Sequence, residues 1–291
     1  MAAAFWSMFG AAAVVAQGSY VPQRVFDTSK RSFADFETMA ADIARADVAF
    51  LGEQHDDPNT HRLELAVLEG LARRRGNVIL SLEMFERDVQ EPLEHFLLGH
   101  IAEDEFLKDA RPWPRYATDY KPLVDFAIAH DWPVVAANVP RALASEVSKS
   151  GFGVLEGRSD VEKAWFANDR QCPDSDDYFR RFAEAMGQHP GDASVRNFYL
   201  AQCLKDETMA ESISRAYTAG TAGEARPLVV HVNGAFHSDF HEGTAARLER
   251  RLAGRRVAVI SMLPVADLDT LAPAGEDVKR ADYLVYTIGK R

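Results

Sequence analysis

The sequence is short of cysteine, of basic charge and of long apolar runs. Its two cysteines, Cys172 and Cys203, allow at most one disulfide; two partly buried free thiols are an equal reading. Lys and Arg number 33 against 44 Asp and Glu, a formal charge of −11. That balance excludes nucleic acid as the main partner, because phosphate binding needs a basic footprint. The notable basic run, Arg73-Arg74-Arg75, ends a predicted helix, where cations suit the negative end of the helix dipole. Residues 1–16 are apolar apart from Ser7, yet too short to span a bilayer, which takes about 20 apolar residues. They read as the apolar region of an export signal, with residues 1–18 as the expected segment, although no Lys or Arg precedes it. No cysteine lies nearby to carry a lipid anchor.

Familiar catalytic signatures are missing too. There is no Gly-x-Ser-x-Gly elbow, no His-Glu-x-x-His helix and no Walker loop. Gly151-Phe152-Gly153 follows a helical pattern rather than a strand, so it does not read as a dinucleotide loop. What remains is ordinary globular composition, 47% hydrophobic and 26% charged, in a chain long enough for one large domain or a large domain with a smaller annex.

β-branched apolar runs at 47–51, 78–84, 133–137, 228–232, 257–262 and 283–287 read as strands. Helical patterns between most of them predict an α/β fold, a mainly parallel sheet flanked by helices. The clearest helix opens at Pro58-Asn59, carries Leu63, Val67, Leu68, Leu71 and Ala72 on one face, and stops at Gly76. Phe33, Phe36, Met39, Ala40 and Ile43 make a similar stripe. Residues 88–127 and 151–220 break the alternation as helical insertions, expected to build a small helical cap domain over the active edge of the sheet. The tail from Pro264 to Asp277 is turn-rich and reads as a surface excursion.

One pattern occurs twice. Gly52-Glu53-Gln54-His55 and Gly234-Ala235-Phe236-His237 both end predicted strands. In an open α/β sheet such ends share a crevice at the carboxyl edge. Glu83, Asn138 and Asn233 leave neighbouring strand ends, and His231 lies within a strand. Imidazoles and carboxylates are the usual ligands of divalent ions and equally serve as general acid and base. His55, His237 and Glu83 are therefore the candidate metal ligands, and a shared ion requires imidazole nitrogens roughly 3–4 Å apart. Glu53, Glu83 and Arg87 are the catalytic candidates if the protein is an enzyme; His61, Asn138, His231 and Asn233 are candidate pocket-lining residues.

Blander readings compete. Glu53 or Asp56 would cap the following helix, His61 is as easily surface as pocket, and His231 reads as a core histidine. Glu83 with Arg87 reads as a helix-start ion pair. Trp113, Tyr116, Tyr120, Phe126 and Trp132 form an aromatic cluster that either packs the cap on the sheet or receives a flat apolar ligand such as haem. Tyr116, Tyr120 and Tyr178 are then candidate iron ligands, with Arg87, Arg111 and Arg115 as candidate partners for propionates. Cys172-Pro173 is a weaker haem signal.

Taken in order, Leu51–Asp56 with His61, Leu82–Arg87, Tyr120-Lys121-Pro122, Ala136–Pro140, Ala201-Gln202 with Asp206–Ala210, and His231–His237 resemble the ChaN-like haem-binding family. That family sits in a wider group with the Tiki proteases and erythromycin esterases, and the resemblance covers roughly residues 25–262. It implies an α/β domain over 25–291, an exported, periplasmic or membrane-associated protein, haem as cofactor, and a role in haem or iron acquisition. The Tiki relatives imply the alternative, a metal-dependent hydrolase with a divalent ion and with His55, His237, Glu83 and Arg87 in the site. Partner expectations are haem or another small molecule, a homodimer, and a peripheral membrane or transport-system partner. If 1–18 is no signal, the expected location is the cytoplasm.

Overall fold

The computed structural model describes residues 22–187, 193–223 and 226–289; the expected signal segment, 1–18, lies outside them. The elements run β1 Gln23–Asp27, β2 Ser32–Ala34, α1 Phe36–Ile43, β3 Val48–Glu53, α2 Pro58–Ala72 and β4 Val78–Glu86. Next come α3 Gln90–Leu97, α4 Glu103–Ala110, α5 Tyr116–Asp119, α6 Lys121–Ala129, β5 Val134–Asn138 and α7 Arg141–Ser150. Then follow α8 Asp160–Lys163, α9 Asp177–Ala185, α10 Ala193–Gly220, β6 Leu228–Gly234, α11 Gly243–Arg251, β7 Val257–Val265 and β8 Tyr283–Ile288.

Among the described residues, eight strands form one sheet in the order β2-β1-β8-β7-β3-β6-β4-β5. The pairs from β8 to β5 are parallel, while β1 joins β8 and β2 antiparallel. All six expected strands are present, each ending one to three residues later than the apolar runs suggest. Strands β1 and β2 were not expected. They form a short antiparallel edge, where pairing to β8 rather than a long apolar run defines them. Phe33 accordingly belongs to β2, half-exposed, and the stripe of α1 begins at Phe36.

Alternation along β3 divides the core. Ala49 and Leu51 pack with Met39 and Ile43 of α1 and with Leu63, Val67 and Leu71 of α2. Val48 and Phe50 face the other way, onto Ala210 and Ile213 of α10 and Leu248 of α11. Asp57 caps α2 by accepting from Asn59 N at 3.0 Å, with Pro58 in the first turn. Neither Glu53 nor Asp56 is therefore the cap.

The two insertions do different work. Helices α3 to α6 cover one face of the sheet around Phe106, Tyr116, Tyr120 and Leu123. In the second, α9 stands at the carboxyl edge, but α10 continues from that edge down the opposite face of the sheet. Cys172 and Cys203 are joined in a disulfide that ties the segment before α9 to α10, which leaves no thiol beside Pro173 for haem.

Candidate functional site

The two Gly-x-x-His strands are neighbours. β3 pairs with β6 in parallel, with Gly52 opposite Asn233 and Glu53 opposite Gly234. From this point the chain goes to β4 on one side and to β7 on the other, the kind of switch at which open sheets bind ligands. The crevice here measures about 460 Å³ and is lined by His55, Gln202, Gly234, His237 and the apolar wall of Phe182 and Met186.

The glycines are there for closeness rather than for backbone freedom. A Cβ on Gly234 would stand 2.6 Å from Nε2 of His55, and one on Gly52 would stand 3.1 Å from the Cα of Ala235. The glycine of the second motif thus makes room for the histidine of the first.

Each histidine has a carboxylate partner. Nδ1 of His55 lies 2.5 Å from Glu53 Oε1, which also accepts from the Tyr120 hydroxyl at 2.9 Å. This sets the other ring nitrogen of His55 over Gly234, and the side chain is 44% exposed. The His55 carbonyl is held by Arg115, which bonds Asp119 Oδ2 at 2.7 Å, and Trp113 meets the ring edge-to-face at 5.0 Å.

His237 is buried between Asp206, 2.6 Å from Nδ1, and Glu83, 3.3 Å from Nε2. Burial opposes its charge, but the two carboxylates prevail and push its pKa up to about 10. Burial likewise opposes charge on Glu83, yet His237 holds it down at about 2. The pair is therefore ionised at neutral pH. Thr244 and Tyr178 donate to the two oxygens of Asp206 at 2.9 and 2.7 Å.

A bulge explains how Glu83 reaches the site. The β4–β6 ladder stops at Leu82, and β4 shifts register against β5 between Leu82 and Glu86. Glu83 is thus a strand residue, and its carboxylate accepts from Gly234 N at 2.8 Å just beyond the ladder. Asn138 donates to the Glu83 carbonyl at 3.1 Å and also accepts from Val139 N, so it supports the bulge instead of lining the crevice.

Other expected residues are placed elsewhere. Arg87 does not pair with Glu83; it is buried against Ser212, Glu211 and the Thr208 carbonyl. His231 is a core histidine after all, its Nδ1 2.9 Å from the Ser81 hydroxyl, with burial pulling its pKa down to about 3. Asn233 is fully buried and donates to the Gly234 carbonyl and to Ser238. Arg111 forms a separate cluster with Glu86 and Asp88.

None of the three tyrosines offers a hydroxyl to the crevice. Tyr116 is buried among Phe85 and its neighbours, Tyr120 is held by Glu53 and Tyr178 by Asp206. Burial pushes all three hydroxyl pKa values up, which disfavours the phenolate that iron would take. His61 is buried, with Nδ1 3.3 Å from Glu53 Oε2 and 3.2 Å from Glu64 Oε2. Among the described residues, the set whose ligand atoms all lie within 4.8 Å is Glu53, His61 and Glu64, not His55, His237 and Glu83. Gln202 and Asp206 belong to the stretches that carry the family resemblance, but no site role is read for them from sequence; Glu64 and Asp119 are not singled out at all. Asp206 and Gln202 sit on a long helix far along the chain; Glu64 had a readable signal, its spacing of three from His61 on one helix face.

A match to the family described as haem-binding uptake, Tiki superfamily, ChaN spans residues 39–248. The chain belongs to this ChaN family. Its fold agrees with that of ChaN of Campylobacter jejuni, solved for cofacial haem binding. The TM-score is 0.65 at 16% identity, over 92% of this chain and 97% of that one. Weaker likenesses are the type III effector HopBA1, with TM-score 0.49, 9% identity and 95% and 100% coverage, and an erythromycin esterase mutant in its open conformation, with TM-score 0.45, 11% identity and 92% and 83% coverage. No curated protein matches the chain. In this crevice the exposed imidazole is that of His55, and the three tyrosine hydroxyls are buried elsewhere.

Proposed function

We propose that this ChaN-family chain is an exported haem-binding protein of haem or iron acquisition, with the His55–His237 crevice as its ligand site. The observation that carries the reading is His55. Glu53 takes one ring nitrogen and leaves the other over Gly234, in the crevice that Phe182 and Met186 also line. A carboxylate behind an imidazole fixes its tautomer and raises its basicity toward iron. When bound, haem would supply an open iron coordination position, and Arg115 beside His55 offers a cation to a propionate. The Cys172–Cys203 disulfide supports export, because such bonds persist in oxidising compartments. The hydrolytic alternative needs Arg87 at the crevice, and its guanidinium is committed to α10.

Hemin titrated into purified protein should give a saturable Soret shift, and His55→Ala should weaken it at least about tenfold, about 1.4 kcal/mol of affinity. An unchanged spectrum at stoichiometric hemin would falsify the proposal. Size measurement with and without hemin tests whether a homodimer forms on loading, and cell fractionation tests export.

A further inference from the structure

Beneath His55, three side chains bring possible ligand atoms within 4.8 Å of one another. Glu53 ends β3, while His61 and Glu64 lie one turn apart on α2. All three are buried, Glu64 completely, and Oε2 of Glu53 and Oε1 of Glu64 have no hydrogen-bond partner. Two carboxylates and an imidazole in that position require a cation between them.

The surroundings fix which His61 nitrogen faces inward. Nε2 lies 3.1 Å from the His55 carbonyl oxygen and 3.4 Å from Asp119 Oδ2. Both neighbours are acceptors, so Nε2 carries a proton. Nδ1 faces two further acceptors, Glu53 and Glu64, and carries a second proton there, which a metal ion at this point would displace to take the ring nitrogen as a ligand. A metal-binding histidine is oriented in the same way, its outer N–H given to a carbonyl or carboxylate. The spacing agrees: ion–ligand bonds of about 2.0–2.2 Å set neighbouring ligand atoms roughly 3–3.5 Å apart. Nδ1 of His61 is 3.3 Å from Glu53 Oε2 and 3.2 Å from Glu64 Oε2.

We propose that Glu53, His61 and Glu64 bind one divalent transition-metal ion, which locks the end of β3 to α2 and steadies His55 through Glu53. The donors, two carboxylates and one imidazole, suit zinc, manganese or ferrous iron, and are too few for calcium. Glu53 divides its oxygens between two tasks, Oε2 for the ion and Oε1 for His55 Nδ1 and the Tyr120 hydroxyl. This site is separate from one shared by the two Gly-x-x-His histidines.

The test loads the full chain with Zn²⁺, dialyses it against metal-free buffer and measures zinc per chain by mass spectrometry. Wild type should retain about one ion per chain, and a strong chelator should lower its Tm. Glu64→Gln, nearly isosteric, and His61→Gln should each lose at least about nine-tenths of the zinc. His237→Gln, which would empty a site between the two histidines, should keep it. Folded wild type without zinc and with a Tm indifferent to chelator overturns the proposal, since a proton then serves as the cation. Full zinc in Glu64→Gln, or loss in His237→Gln alone, overturns it as well. If the α2 variants do not fold, the wild-type chelator shift decides. Hemin binding by the zinc-loaded wild type, measured beside zinc content, separates failure of the metal site from failure of the crevice reading.

Discussion

Gly234 carries two duties at one backbone position. Its N–H is taken by Glu83 and its bare Cα receives the His55 ring. Gly234→Ala sets a methyl 2.6 Å from the His55 ring nitrogen. The ring must move, and we expect a loss of about 1–3 kcal/mol in urea unfolding together with weaker hemin binding. His237 and Glu83 make a second prediction, in pH. The folded His237 pKa, about 10, lies above the ordinary 6.5, so its stabilisation is complete below pH 6.5 and is lost as pH rises through about 10. Glu83, held at about 2 against 4.5, contributes above pH 4.5 and loses that contribution as pH falls through about 2. Unfolding free energy should therefore decline between pH 7 and 10, and His237→Gln should flatten that decline. Glu83→Ala leaves His237 facing a void in a buried pair and should cost about 3–5 kcal/mol, read from chemical denaturation.

At the scale of elements, α10 joins the crevice to the opposite face of the sheet. It presents Gln202 and Asp206 at one end and Ala210, Ile213 and Tyr217 against the strands further along. The disulfide at Cys203 anchors its crevice end, closing a loop with a sequence separation of 31. Reduction, or Cys172→Ser with Cys203→Ser, should lower stability by about 3–4 kcal/mol on the chain-entropy account. A fall in Tm on adding reductant checks it. Much of this level was legible beforehand. The six apolar strands, the α2 stripe and the meeting of the two Gly-x-x-His ends follow from periodicity and from strand ends at glycine. The pairing of Asp206 with His237 and the bulge at Glu83 do not follow, because an acidic residue on a long polar helix looks like solvated surface even where its stretch resembles a family motif. A register shift leaves no mark in composition. Arg87 departs from expectation for a related reason: position just past a strand end does not reveal which way a side chain turns, and its guanidinium goes to α10.

For the whole molecule, the governing fact is that β6 lies between β3 and β4, although β3 and β4 are consecutive parallel strands joined through α2. Glu83 and Gly234, joined by a hydrogen bond, stand 151 positions apart in the chain. β3 and β4, made early, thus leave a gap in the sheet that only a late segment fills. Chain ending before Leu228 would expose the unpaired edges of both β3 and β4, and we expect such a truncation to aggregate. Refolding should be slow, as sheets with distant partners are, with His55 fluorescence quenching of Trp113 appearing in the last phase. The order of synthesis acquires a meaning: the motif that opens the crevice is made early, but it has no partner until most of the chain has emerged. A half-made chain therefore carries His55 without the β6 backbone on which its ring rests, and the crevice is completed as a late event in the birth of the molecule.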